Sequence, residues 1–221
     1  MKKCIFSIDN NIIVCFFLTA FFSCKATSYF KTPNDVSKVY GKVTMMDGTV
    51  KKGLITIDLE NYHVDYQLIH IDYPEKSGGE DLKFTDIYSY EVDSATYVPK
   101  KIDIHLTNHY DFLFVKRLTA EQDKMQLYEL HEAFKSNDIG EETSYYYISF
   151  AGDPVYDAID INSNKIIPGF DNKMGAMVVD CPALAAKIHE KRSGYYYSFL
   201  SLRQKKFDVI QQIVKEYNAC R

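Results

Sequence analysis

The sequence contains no tryptophan, so its aromatic character rests on 18 tyrosines and 14 phenylalanines. Tyrosine suits half-buried strand positions, with its ring packed and its hydroxyl wet. The chain also has no Gly-x-Ser-x-Gly elbow, no Walker-type phosphate loop and no His-Glu-x-x-His pair. Those absences remove the usual signatures of hydrolases, nucleotide-phosphate cradles and zinc peptidases. No apolar run approaches the roughly 20 residues that a membrane-spanning helix requires. Basic residues number 26 against 30 acidic ones, which argues against a nucleic-acid partner, since phosphate-backbone affinity rests on an excess of Lys and Arg. No helical pattern separates the early strands, so a βαβ fold with a dinucleotide site is not expected, and no cofactor is implied.

The beginning of the chain carries an address. Lys2 and Lys3 precede an apolar stretch from Ile12 to Phe22, which has the length of a signal-peptide core. Ser23 and Cys24 follow it, and this segment resembles the lipobox of bacterial lipoproteins. The resemblance implies cleavage before Cys24, lipidation of that cysteine and attachment to a membrane. Phe21 stands three positions before Cys24, where the family usually has Leu. The rival processing is ordinary secretion after Ala26, with Cys24 and Ala26 forming a small-x-small cleavage pattern. Residues 1–23 are thus read as a signal peptide and 24–35 as a polar tether expected to bury little. The remaining 198 residues carry 24 basic and 29 acidic side chains, a formal charge of −5. They suffice for one large domain with a real core.

From residue 36 to 161 the pattern is that of strands. Val39–Met46 and Thr49–Leu59 flank Asp47-Gly48, a hairpin turn signal. Gly41 and Gly53 lie inside these strands, where glycine marks a bulge or a close backbone approach. Further strands are read at Val64–Tyr73, Leu82–Phe84, Ile87–Val92, Ile102–Leu106, Tyr110–Leu118, Met125–Leu130, Tyr145–Phe150 and Val155–Ile161. After Pro168-Gly169 the period becomes helical: Phe170 to Val178 first, then a helix through Ala183–Lys191 with Pro182 in its first turn and Asp180 or Cys181 as cap. The last helix covers Ser201–Asn218, with Phe207, Ile210, Val214 and Tyr217 on one stripe and Arg203, Gln204, Lys205 and Lys206 opposite. The expected fold class is α+β: an antiparallel sheet-rich body over 36–161, a meander or small open barrel, followed by C-terminal helices over 162–221 packed on it in one continuous domain.

Three short motifs stand out: Gly41-x-Val43 with Asp47-Gly48 and Lys52-Gly53, Asp180-Cys181-Pro182 heading a helix, and Tyr217-Asn218-Ala219-Cys220 at the end. With them the mature chain resembles uncharacterised secreted or lipid-anchored envelope proteins of Gram-negative bacteria. That resemblance implies an address and an order of elements, and it brings no activity.

Few residues are candidates for chemistry. His105 and His109 have the four-residue spacing of helical zinc ligands, but they fall among Ile102, Ile104 and Leu106 in strand and turn context, where that spacing loses its geometry. Of five cysteines, Cys4 and Cys15 leave with the signal and Cys24 is the lipidation site. Cys181 and Cys220 remain and bracket one helical unit in an oxidising compartment, so a disulfide is expected in preference to a nucleophilic Cys181 thiol. The triplets Tyr145–Tyr147 and Tyr195–Tyr197 supply candidate binding residues, Tyr145, Tyr147, Tyr195 and Tyr197, as stacking surfaces for a glycan or peptide. No catalytic residue is assigned.

The expected role is that of a noncatalytic lipid-anchored envelope protein of structural or interaction type, whose partners are the membrane and an envelope protein or glycan. The alternatives are a glycan- or peptide-binding module, which would show a concave aromatic patch on the sheet, and a hydrolase with an unrecognised site, which would show a buried carboxylate or histidine cluster in one pocket. A soluble periplasmic or secreted form is the alternative location.

Overall fold

The computed structural model describes residues 27–57, 68–75, 78–104, 109–133 and 142–220, with side chains at 103–111, 132–133 and 142 left aside. The segment read as a signal peptide, Cys24 and His105 lie outside the described residues. Among the described residues the fold is α+β: eleven strands in one antiparallel, unclosed sheet, followed by three α-helices.

The strands are β1 (Tyr29–Thr32), β2 (Asp35–Met45), β3 (Val50–Ile57), β4 (Leu68–Asp72), β5 (Gly79–Lys83), β6 (Ile87–Val92), β7 (Ala95–Ile104), β8 (His109–Arg117), β9 (Met125–Ala133), β10 (Glu142–Phe150) and β11 (Ile159–Asp160). The helices are α1 (Phe170–Met177), α2 (Pro182–His189) and α3 (Arg203–Ala219). The sheet runs β11-β10-β9-β8-β7-β6-β2-β3-β4-β5, with β1 paired to the start of β2. The β2–β3 hairpin turns at Asp47-Gly48 as read. Gly48 takes φ 83°, and the Asp47 carboxylate accepts from Thr49 N–H at 2.8 Å, a contact that holds its pKa below the usual value. Gly41 and Gly53 face one another in register. A Cβ on Gly41 would sit 2.6 Å from Glu91 O, and one on Gly53 would strike Asp72 O, so both glycines mark close approach of neighbouring strands.

Among the boundaries that differ from the sequence expectation, such as β5 at Gly79–Lys83 where the sequence pattern reads Leu82–Phe84, three have a visible physical cause. The tether read over 24–35 contains β1, because Phe30 packs against the Tyr97 ring at 5.4 Å and Asn34 is buried behind it. Strand β7 begins at Ala95 and passes through Pro99. The amide of Lys101, two residues on, points away from β8 and donates to Tyr156 O at 2.8 Å. Pro99 therefore presents its missing N–H to the same side, where the β6 ladder has already ended at Tyr97. Finally, the strand read at Val155–Ile161 is reduced to Ile159–Asp160, since Pro154 opens a turn closed by Asp157 N–H onto Pro154 O at 2.9 Å.

Alternation places the cores. On β9, Met125 and Leu127 face the helices while Tyr128 and Leu130 face the other way; on β10, Ile148 faces the helices and Tyr147 the opposite side. Helix α3 lies over β9 and β10, with Phe207 stacked on Tyr146 at 4.2 Å and Tyr217 edge-on to Phe150 at 6.1 Å. Phe170, Met174, Leu184, Ile188, Ile210 and Ile213 complete this core. A second core fills the curl of β2–β8 around Val43, Ile55, Ile71, Tyr90 and Phe114. A third, on the reverse face of β7–β10, gathers Val98, Ile102, Leu113, Val115, Tyr128, Leu130 and Tyr147. Two helical details depart from the sequence reading. Neither Asp180 nor Cys181 caps α2 through its side chain, because the Asp180 carboxylate accepts from Tyr217 OH at 2.8 Å. Lys206, read as part of the polar face, is buried and donates to Asn162 Oδ1 at 2.8 Å.

Between β8 and β9 the register pairs are Lys116↔Glu129 and Arg117↔Tyr128, followed by Leu118 N–H donating to Leu127 O at 2.8 Å. Beyond them the strands part, and asparagine side chains complete the exposed edges. Asn34 Oδ1 accepts from Phe114 N–H at 2.7 Å and its Nδ2 donates to Phe114 O at 3.0 Å. Asn218 does the same for Met125, accepting at 2.8 Å and donating at 2.9 Å. Each carboxamide thus acts as one residue of a missing strand, which satisfies backbone groups that would otherwise be buried without partners.

Candidate functional site

On the reverse face of the sheet, a cavity of about 230 Å³ opens between β7, the ends of β8 and β10 and the 152–155 turn, lined by Tyr88, Lys100, Arg117, Glu121, Tyr128 and Ser149 among others. Alternation along β7 directs Val98, Lys100 and Ile102 to this face. Lys100 is only 5% exposed. Its ammonium donates to Val155 O at 2.7 Å and Asp157 O at 3.3 Å and lies 4.6 Å from the Tyr128 ring centre. Burial pushes its pKa down to about 8, against the opposing pull of Asp153 and Asp157.

The other walls are held by a polar network. Tyr128 OH and Ser149 Oγ are 3.1 Å apart, and burial raises the Tyr128 pKa. Tyr88 OH donates to Glu121, and with burial acting first this carboxylate keeps the phenol protonated. Arg117 Nη2 reaches Glu121 Oε2 at 3.3 Å. Gln126 binds the β8–β9 turn through Ala120 O, Glu121 O and Asp123 O. The arrangement can hold a small polar ligand between a cation, a guanidinium and two phenols. No sequence signal marked it, because Val98-Pro99-Lys100-Lys101 reads as a break in strand structure.

The residues singled out from sequence do not converge. His109 opens β8, and its side chain is not among those described. No group of three or more His, Cys, Asp or Glu is placed to hold a metal among the described residues. Tyr147 and Tyr197 are 5% and 0% exposed, so neither offers a ring to a ligand. Strand alternation turns Tyr147 into the third core, and Tyr197 packs on Phe170 with its hydroxyl donating to Ile161 O at 2.5 Å. Tyr145 and Tyr195 are half-buried, under the Arg203 guanidinium at 5.2 Å and the Lys187 ammonium at 5.1 Å. They lie apart from the cavity.

Cys181 and Cys220 are disulfide-bonded, with Cα atoms 6.1 Å apart. The bond ties the head of α2 to the end of α3. Between these helices, the 190–202 connection buries Tyr197 but leaves Phe199, Leu200 and Leu202 at 70%, 88% and 79% exposure. Compared with family models, curated proteins and solved structures, the chain matches none.

Proposed function

We propose that this protein is a noncatalytic, lipid-anchored component of a Gram-negative cell envelope, working by contact with an envelope partner. The observation that carries this reading is the cluster of Phe199, Leu200 and Leu202 at one loop of a disulfide-braced helical unit. Apolar side chains scattered singly over a surface need no explanation, whereas a group of three large ones suits an interaction site. The lipobox-like segment before Cys24 supports the anchor. Expression in a Gram-negative host with a labelled fatty acid is expected to label the chain, and Cys24→Ala to abolish the label. An unlabelled protein whose mature N-terminus follows Ala26 would overturn the anchor and leave a soluble periplasmic or secreted form.

The cavity at Lys100 favours a second reading, a binding module for a polar ligand such as a glycan or peptide. It predicts that such a ligand perturbs the Tyr128 and Tyr88 ring resonances, and that Lys100→Met weakens its binding.

A further inference from the structure

We infer that the Ser198–Leu202 loop seats Phe199, Leu200 and Leu202 in the headgroup interface of a bilayer containing anionic lipid. The loop is built, not frayed. Ser198 and Ser201 close it in both directions, Ser201 N–H onto Ser198 O at 3.0 Å and Ser198 N–H onto Ser201 Oγ at 3.0 Å. Tyr197, fully buried just before it, fixes its base. With the backbone held in a turn, the three apolar side chains stand exposed, the Phe199 ring 5.6 Å from the Lys206 ammonium.

Charge identifies the occupant. Between Lys187 and Lys206 there are six lysines and arginines and a single acidic residue, Glu190, in a chain whose overall formal charge is −4. Some of these cations are engaged: Lys187 with Glu216, Lys191 with Asp171, Arg192 with Glu190, and Lys206 with Asn162. Arg203 and Lys205 are exposed at the start of α3 and have no carboxylate partner among the described residues. An apolar tip beside exposed cations, here Arg203 and Lys205, is the composition that binds a membrane surface, the tip entering the acyl boundary while the cations meet lipid phosphates. The half-buried Tyr195 and Tyr196 flank it, as amphipathic aromatic rings do at that depth. Basic side chains oppose a second copy of the same loop placed against them.

This inference rests on the envelope reading but not on lipidation of Cys24, and its test removes the anchor. The chain from Lys25 onward retains every described element. It is mixed with vesicles of phosphatidylethanolamine and phosphatidylglycerol, or of phosphatidylcholine alone, and floated through a density gradient. Cofloating with the anionic vesicles is expected. The triple variant Phe199→Ser, Leu200→Ser, Leu202→Ser should bind about tenfold or more weakly, and Arg203→Gln with Lys205→Gln should weaken binding and its dependence on salt. Because the protein lacks tryptophan, Leu200→Trp supplies a single reporter whose emission should shift to the blue on anionic vesicles. Unmoved emission, wild-type chain left at the bottom of the gradient, or equal flotation of the triple variant would overturn the inference. So would a dimer in sedimentation that the triple variant dissociates in the absence of vesicle binding, which would assign the loop to a second copy.

Discussion

Lys100 shows how a single side chain can set a pH dependence. In the native protein its ammonium releases a proton near pH 8, while in the unfolded chain it holds the proton to the ordinary 10.5. Between those values the unfolded state binds more protons, so stability contributed by this group rises with pH across that window and is flat below it. Buried tyrosines such as Tyr90 and Tyr128, raised by burial, act in the opposite sense once pH passes the ordinary tyrosine value of 10.0. Urea unfolding followed from pH 7 to about pH 9.5 should therefore show a gain in stability that Lys100→Met removes. A wild-type profile with no rise would show that the carbonyls hold the charge as well as water does. Nothing in the sequence distinguished Lys100 from Lys101. Which of two adjacent lysines turns inward is decided by the register of β7, and the register is set by partners distant in sequence.

At the scale of elements, the helices were legible because their periodicity is local. Ile210, Val214 and Tyr217 return to one face every three or four residues, and Pro182 marks a first turn. What decided the capping of α2 was not local, since Tyr217 from α3 takes the Asp180 carboxylate. The disulfide links the same two elements across a sequence separation of 39, for which loop-closure entropy gives about 4 kcal/mol of stabilisation as an upper figure. Cys220→Ser should accordingly lower the melting temperature. It should also speed amide exchange at the end of α3, where Asn218 and the contact between Lys124 Nζ and Cys220 O at 2.5 Å hold the helix to β9. Unchanged exchange at Tyr217 and Asn218 would mean that packing on Phe150 and the hydrogen bonds to Met125 secure the terminus without the disulfide.

At the scale of the whole molecule, the two halves of the sheet meet at the short ladder between β8 and β9. The turn at Asp47-Gly48 and the aromatic strand at Tyr145–Phe150 could be read from sequence, but the parting of β8 and β9 could not, because it depends on how the sheet curls. The end of α3, through Asn218, and the corner at Asn34 meet the seam from its two ends, with the third core spanning it on the reverse face. Asn34→Ala would leave Phe114 N–H and C=O buried without partners, a cost of roughly 2 kcal/mol or more. Chemical denaturation should register that loss, and amide exchange should rise at Phe114 before it rises at Ile55 or Ile71 in the interior of the second core. Equal stability of the variant would imply that water enters the seam and replaces the carboxamide.

The two asparagines at these joints also give the protein a way to age. Each uses its oxygen as acceptor and its nitrogen as donor at once, a combination that neither aspartate nor any aliphatic residue reproduces. Hydrolysis of either amide would replace the donor with a carboxylate oxygen aimed at a peptide carbonyl, turning attraction into repulsion at a buried site for Asn34 and a half-buried one for Asn218. At Asn34 spontaneous deamidation would therefore part the edge of β8 from the first corner of the chain, and at Asn218 it would push the last helix from β9 while the disulfide kept it tethered.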